Sequence, residues 1–309
     1  MTERFNMITI LGPTASGKTA LAANVAFRMN GEVISADSRQ VYRNMDIGTG
    51  KDYDDYIIKG REVPSHIVDI CDAGEKYSVY RYQKDFLTVY NEITDRNKMP
   101  VLCGGTGMYI ESVLKGYRLL KVPVNKSLRD NLERKTMDEM KDILEGYKNL
   151  HNITDITQRK RLVRAIEIAK YYSDHNIEEE KFPEIHSLVA GINFDRNSRR
   201  KNISDRLKER LKSGMVEEVK SLIESDVSEE TLIYYGLEYK FITWYLQEKI
   251  SYDEMFSQLE TSIHRFAKRQ MTWFRRMERN GIEIKWLDGY LPLDEKIEKI
   301  MEWYSCVYK

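Results

Sequence analysis

Apolar positions along the chain change rhythm several times, and each rhythm predicts a different kind of structure. Met7-Ile8-Thr9-Ile10-Leu11 is a short apolar run that suits a buried strand. Over 20–29 the spacing turns helical through Leu21, Val25, Ala26 and Met29, and Asn30-Gly31 supplies a stop. A second strand is predicted over 32–36, and 66–70 reads as another short one. Ser78 can cap a helix whose apolar positions are Val79, Tyr82, Phe86, Val89 and Ile93. The run 100–103 makes a third strand, followed by a helix to Leu114 that stops near Gly116. Strand, loop and helix in repetition predict an α/β fold, a doubly wound parallel sheet flanked by helices.

From about Tyr117 the rhythm is lost. Strand candidates vanish, charge rises, and the best helices are 127–144 and 157–172. Glu178-Glu179-Glu180 and Pro183 read as a linker, and strand character returns over 187–194. The expected organisation is a core made of 1–117 and 188–309, with 118–187 as a helical insertion domain. The rest is helical until a last strand over 282–287, and 205–223 reads as one amphipathic helix carrying Arg206 and Arg210 one turn apart.

Chemistry enters between the first strand and the first helix. Gly12-Pro13-Thr14-Ala15-Ser16-Gly17-Lys18-Thr19 fits the template Gly-x4-Gly-Lys-[Ser/Thr]. A glycine loop between strand and helix aims backbone N–H groups and the positive helix end at one anion. Gly12, Thr14, Ala15, Ser16 and Gly17 are therefore phosphate-binding candidates. Lys18 would reach a terminal phosphate, and the Thr19 hydroxyl would hold magnesium. The expected ligand is a diphosphate or triphosphate. Asp37 lies at the carboxyl end of the second strand, where open α/β sheets bind ligands. It fits a helix cap or an Asx-turn, and equally a magnesium ligand or a general base. Gly104-Gly105-Thr106 closes the third strand in the same way.

Charge narrows the choice of partner. Lys+Arg and Asp+Glu number 49 each in 309 residues, so any nucleic-acid site must be a local patch. One stretch qualifies: no acidic residue interrupts 261–277, and Arg265, Lys268, Arg269, Thr272 and Arg276 share a helical face. Ile263, Phe266, Phe274 and Met277 form the opposite, inward face, and Trp273 reads as core. A one-signed stripe fits contact with a phosphate backbone. Arg159, Lys160, Arg161 and Arg164 form a second basic cluster, which composition alone reads as a solvated helix face. Cys71, Cys103 and Cys306 have neither metal-ligand nor disulfide spacing, as expected in a reducing cytosol. No apolar run approaches the ~20 residues of a membrane span. A cytoplasmic monomer without membrane contact is expected.

Taken together these stretches resemble the tRNA dimethylallyltransferases. The resemblance covers nearly the whole chain and rests on the phosphate loop, on Asp37-Ser38-Arg39-Gln40-Val41-Tyr42 with Ile47-Gly48-Thr49, and on Gly104-Gly105-Thr106-Gly107-Met108-Tyr109. It continues in Arg161-Leu162-Val163-Arg164-Ala165-Ile166-Glu167 and in Ala267-Lys268-Arg269-Gln270-Met271-Thr272-Trp273-Phe274-Arg275. It implies a P-loop NTPase-like core with a helical insertion, magnesium, and dimethylallyl diphosphate as co-substrate. The implied reaction prenylates N6 of adenosine 37, beside the anticodon.

The resemblance also implies roles. Asp37 would be the base, Thr106 would hydrogen-bond the reacting groups, and Lys18, Arg206 and Arg210 would grip the diphosphate. Asp37, Ser38, Arg39 and Gln40 would hold the flipped adenine, with Gln40 making a bidentate amide contact. Gln158, Arg159, Lys160 and Arg161, with Arg265, Lys268, Arg269 and Arg276, would grip the anticodon stem-loop. One place departs: the family commonly reads Gly-Tyr-[Arg/Lys]-[Glu/Gln], whereas this chain reads Gly236-Leu237-Glu238-Tyr239-Lys240. Rival readings are an adenylate isopentenyltransferase, a small-molecule P-loop kinase and a non-catalytic nucleotide sensor. The two basic stretches argue against the first, the basic stripe and Gly104-Gly105-Thr106 against the second, and the third leaves Asp37 and Thr106 without a task.

Overall fold

The computed structural model describes residues 4–117, 119–147, 157–175 and 182–306. The phosphate-loop strand β1 (Met7–Leu11) leads into α1 (Lys18–Arg28) and β2 (Gly31–Ala36). A two-stranded hairpin follows, β3 (Ile57–Ile58) with β4 (Arg61–Glu62), and then β5 (Ser65–His66), α2 (Val79–Asp95), β6 (Met99–Gly104) and α3 (Gly107–Leu114). Three helices come next: α4 (Lys126–Glu133), α5 (Met137–Glu145) and α6 (Arg159–Asp174). The chain then runs through β7 (Ser187–Asn193), α7 (Arg196–Lys212), α8 (Met215–Glu224), α9 (Glu229–Tyr235) and α10 (Leu237–Leu246). It ends with α11 (Tyr252–Arg279), β8 (Lys285–Asp288) and α12 (Leu293–Ser305).

Six strands form one parallel sheet in the order β5-β2-β6-β1-β7-β8. The central strand β1 is buried along its whole length and pairs β6 on one side and β7 on the other. Such a strand is covered on both faces, which is why its sequence is an apolar run without alternation. Leu21, Val25 and Ala26 of α1 pack into the cluster with Ile8, Ile10, Val33 and Val101. Burying each of the larger side chains is worth about 1.5–3 kcal/mol.

The chain divides into two compact units, Met1–Tyr117 with Glu184–Lys309, and Arg118–Pro183. The second unit has its own core of Leu132, Met140, Leu144, Leu162, Ala165 and Ile166. The buried carboxylate of Glu167 accepts from Arg129, Arg164 and the Asn125 N–H there. Burial alone would raise its pKa, but these donors outweigh burial and hold it at about 2.

Four elements differ from their sequence reading. The strand expected over 66–70 is only β5, Ser65–His66, because Ile67 and Asp69 take φ of 61° and 55° and leave the extended conformation. The helix expected over 127–144 is two, α4 and α5, because Thr136 and Glu139 form a capping box that starts a new helix. The helix expected over 205–223 breaks at Gly214, whose φ of 100° only glycine takes without strain, giving α7 and α8. The last strand lies at Lys285–Asp288, and α12 follows it, a helix the periodicity does not announce. The linker expected at 178–180 lies outside the described residues.

Candidate active site

The loop after β1 owes its shape to two residues in the left-handed region, Ala15 (φ 59°) and Gly17 (φ 74°). Gly17 is also the N-cap of α1, and no side chain caps that helix. Its leading N–H groups and positive end are thus left for an anion. Ser16, 5% exposed, turns a hydroxyl inward that has no hydrogen-bond partner among the described residues. The Thr14 N–H is different: it donates to Oε1 of Gln270 at 2.9 Å, so this amide is held by the protein itself.

Cations converge on the loop. Arg206 and Arg210 of α7 stand over Gly50, where an added Cβ would lie 1.6 Å from Nη2 of Arg210. Arg206 pairs with Asp52. Burial lowers the pKa of Lys18; Cys103 and Asp37 oppose the shift, and Arg206 and Arg210 add to it. Burial likewise lowers Arg210, with Arg206 next in importance. Positive groups crowded away from water favour an anionic ligand.

A cavity of about 530 Å³ opens beside these cations, inside the range of small-molecule sites. Thr14, Lys18, Thr19, Arg206 and Arg210 line one part of it, and Asp37, Ser38, Arg39 and Gln40 another. Arg265 and Arg269 reach it from α11. Asp37 follows β2 and accepts the Arg39 N–H at 2.9 Å through Oδ1, an Asx-turn that fixes the carboxylate against the cavity. The Thr106 hydroxyl accepts the Ser38 N–H at 3.0 Å and lies 3.3 Å from the Ser38 hydroxyl. Thr106 itself is absent from the cavity wall and acts on the turn that presents Asp37.

Some residues are spent differently from expectation. Gln40 accepts from the Ser35 hydroxyl and donates to the Gly50 carbonyl at 3.0 Å, so its amide braces the wall and is not free for a bidentate contact with a base. Arg276 leaves the basic stripe to pair with buried Glu111 at 2.8 Å, its guanidinium over the Trp273 ring. Phe266 lines the cavity instead of packing inward. In the helical unit, Arg159 donates to the carbonyls of Leu132, Glu133 and Lys135, finishing α4. Gln158 begins α6 without a side-chain cap bond, and Lys160 and Arg161 are exposed.

Two positioning residues escape motif reading. Gln270 falls among the apolar positions Ile263, Phe274 and Met277, and a buried amide needs partners. It finds Thr14 and, at 3.0 Å, the Gly105 carbonyl, tying two loops together. The oddity of an amide on an apolar face is the signal that finds it. Glu218 of α8 accepts the N–H groups of Asp46, Ile47 and Gly48 at 2.6–3.0 Å and the Tyr239 hydroxyl at 2.9 Å. No local pattern announces it.

Known proteins share this arrangement. The family model described as IPP transferase matches residues 40–277, and that described as isopentenyl transferase matches 5–63. The chain is 56% identical to a tRNA dimethylallyltransferase of Phocaeicola vulgatus over 97% of both chains. It is 55% identical to one of Porphyromonas gingivalis over 97% of this chain and 99% of that one. The solved tRNA isopentenylpyrophosphate transferase of Bacillus halodurans superposes with a TM-score of 0.72 at 28% identity, covering 98% of this chain and 97% of that one. A eukaryotic dimethylallyltransferase acting on tRNA shares the fold, with a TM-score of 0.76 at 22% identity, 92% of this chain and 74% of that one. A parallel sheet with a phosphate loop on its central strand, matched to these relatives over nearly its full length, makes the chain a prenyltransferase and a member of the tRNA dimethylallyltransferase family.

Proposed function

We propose that the enzyme transfers the dimethylallyl group of dimethylallyl diphosphate to N6 of adenosine 37 in tRNA, releasing diphosphate. The observation that carries this reading is one cavity with two kinds of lining: the loop residues Thr14, Lys18 and Thr19 with Arg206 and Arg210 in one part, and the fixed carboxylate of Asp37 in another. The first suits a leaving diphosphate and the second suits an amine that must lose a proton.

The allylic C–O bond breaks and its electron pair stays on oxygen. Lys18, Arg206, Arg210 and the free amides of the loop take up that charge, which stabilises the transition state. Thr14 contributes through its position, since Gln270 holds its N–H. N6 of adenine is a weak nucleophile because its lone pair is delocalised; Asp37 accepts its proton as the C–N bond forms. Thr106 and Ser38 keep the Asp37 turn in place. The base must leave the anticodon stack to arrive here, at a cost of about a few kcal/mol that contacts elsewhere offset. Arg39, Arg265, Lys268 and Arg269 grip the anticodon stem-loop near the cavity, and Lys160 and Arg161 belong to the same task.

A magnesium ion fits the donor set. Thr19 offers a hydroxyl at the cavity wall, and no cluster of three or more His, Cys, Asp or Glu competes for the ion among the described residues. That suits an ion held by one hydroxyl, diphosphate oxygens and water. When bound, it would supply further neutralisation of the leaving group. tRNA as substrate carries with it a cytoplasmic location.

The test is direct. The protein is incubated with magnesium, dimethylallyl diphosphate and unmodified tRNA, with AMP as a parallel acceptor and ATP as a parallel donor. Digested tRNA should gain one five-carbon group by mass spectrometry, and AMP should not. Prenylated AMP, or ATP turnover without prenyl transfer, would overturn the reading. Asp37→Ala should abolish transfer with dimethylallyl diphosphate binding near normal; substantial residual transfer would remove Asp37 as the base.

A further inference from the structure

Two carboxylates line the cavity, and the reaction above uses only Asp37. The other, Glu238, lies in the first turn of α10, just after Gly236 and Leu237 at φ of 74° and 45°. Glu238 also lines a narrow recess formed with Thr14, Ala15, Arg206 and Arg210, which puts it against the phosphate loop. It forms no ion pair among the described residues, although Lys18, Arg39, Arg206 and Arg210 share the cavity with it. Burial pushes its carboxyl up; its own backbone N–H, then Arg210 and Arg39, act to keep it ionised, and Asp37 opposes them. A negative group at an anion site, left without a cationic partner, weakens the binding of every anion that enters.

We propose that Glu238 is a resident anion of the diphosphate site that penalises the product more than the substrate and so promotes product release. This rests on reading the cavity as a prenyl diphosphate site. When the C–O bond breaks, the electron pair remains on the diphosphate oxygen, the allyl carbon bonds to N6, and the N6 proton passes to Asp37. Pyrophosphate, as it is released and before it takes up a proton, therefore carries one more unit of negative charge than the ester it came from. Repulsion from a fixed carboxylate grows with ligand charge, so the product feels Glu238 more strongly. At the separations of a small cavity this amounts to about fivefold in affinity per unit of ligand charge.

The experiment measures Kd for inorganic pyrophosphate and for dimethylallyl diphosphate, by calorimetry at an alkaline pH where both are fully ionised, on the wild type, Glu238→Gln and Glu238→Asp. Glu238→Gln should bind pyrophosphate about a hundredfold tighter or better and tighten dimethylallyl diphosphate about fivefold less. Pyrophosphate should inhibit its prenyl transfer at correspondingly lower concentration, and Glu238→Asp should behave as wild type. An acid in the first turn of a helix also favours the helix through its dipole. That role alone would lower the melting temperature of Glu238→Gln and leave both Kd values where they are. Unchanged or weaker pyrophosphate binding, or equal tightening of both ligands, would overturn the proposal. A folded wild type that binds neither ligand would instead overturn the diphosphate reading on which it stands.

Discussion

Removing the Glu218 carboxylate should loosen one wall of the cavity and destabilise the fold. Glu218 answers four donors: the N–H groups of Asp46, Ile47 and Gly48, and the hydroxyl of Tyr239. Gly48 and Tyr239 are buried, while Asp46 and Ile47 are half-buried. In Glu218→Ala, water can replace the acceptor for the half-buried pair but not readily for the buried pair. An orphaned buried donor costs about 1–3 kcal/mol, so the variant should lose about 3–5 kcal/mol. For a chain of this size that lowers the melting temperature by about 6–15 °C. The same loop carries Gly50, which bonds Gln40 and lies beneath Arg210. KM for dimethylallyl diphosphate should therefore rise by about tenfold or more as that wall loses its register. Glu218→Gln keeps one carbonyl oxygen and should lose about half as much stability. Urea unfolding followed by circular dichroism gives the first quantity and steady-state prenyl transfer the second. In a double-mutant cycle with Tyr239→Phe, the two losses should be less than additive. Glu218→Ala within about 0.5 kcal/mol of wild type, with KM unchanged, would refute the reasoning.

Two further outcomes follow from the geometry. Gly50→Ala places a methyl group onto the Arg210 guanidinium at a backbone φ of 70°, so Arg210 must move. KM for dimethylallyl diphosphate should rise about tenfold or more, and an unchanged KM would show that Arg210 does not grip the ligand. Glu167 has a folded pKa of about 2 against an ordinary 4.5, so its stabilising effect is complete above pH 4.5 and is lost as the pH falls through about 2. Discounted for the partial exposure of Arg129 and Arg164, it is worth about 1–3 kcal/mol at neutral pH. The stability gap between wild type and Glu167→Gln, from urea unfolding, should shrink to less than half by about pH 3.

What the sequence discloses follows from how locally each feature is determined. The phosphate loop is legible because its template ties residue types to backbone shape, down to the left-handed turn at Gly17. The strands are legible because β1, β2 and β6 are buried runs. Thr136-x-x-Glu139 spells a capping box, yet apolar spacing continues across it, so periodicity alone joins α4 to α5. Gln270 reaches the loop from 256 positions away, and Glu218 reaches Asp46 across 172. The amide on an apolar face marks Gln270 but not its partner, and nothing local marks Glu218. Arg276 and Arg159 look like their neighbours in sequence, and only the acceptors around them, Glu111 and the end of α4, take them out of a basic surface.

The position of β7 bears on how the protein is made. β1 leaves the ribosome well before its partner β7, which pairs from Met7↔Ser187 to Leu11↔Gly191, some 180 residues later. At about 5–20 residues per second, that edge of β1 stays open for roughly 10–40 s of translation. The exposed strand is Met-Ile-Thr-Ile-Leu, uncharged and rich in β-formers, the composition that pairs readily with other chains. The whole second unit is synthesised within that interval. An enzyme whose glycine-rich loop hangs from its central strand therefore spends its synthesis with that strand unprotected on one side, and its yield in the cell should respond to translation rate and to holdase chaperones more steeply than its equilibrium stability would suggest.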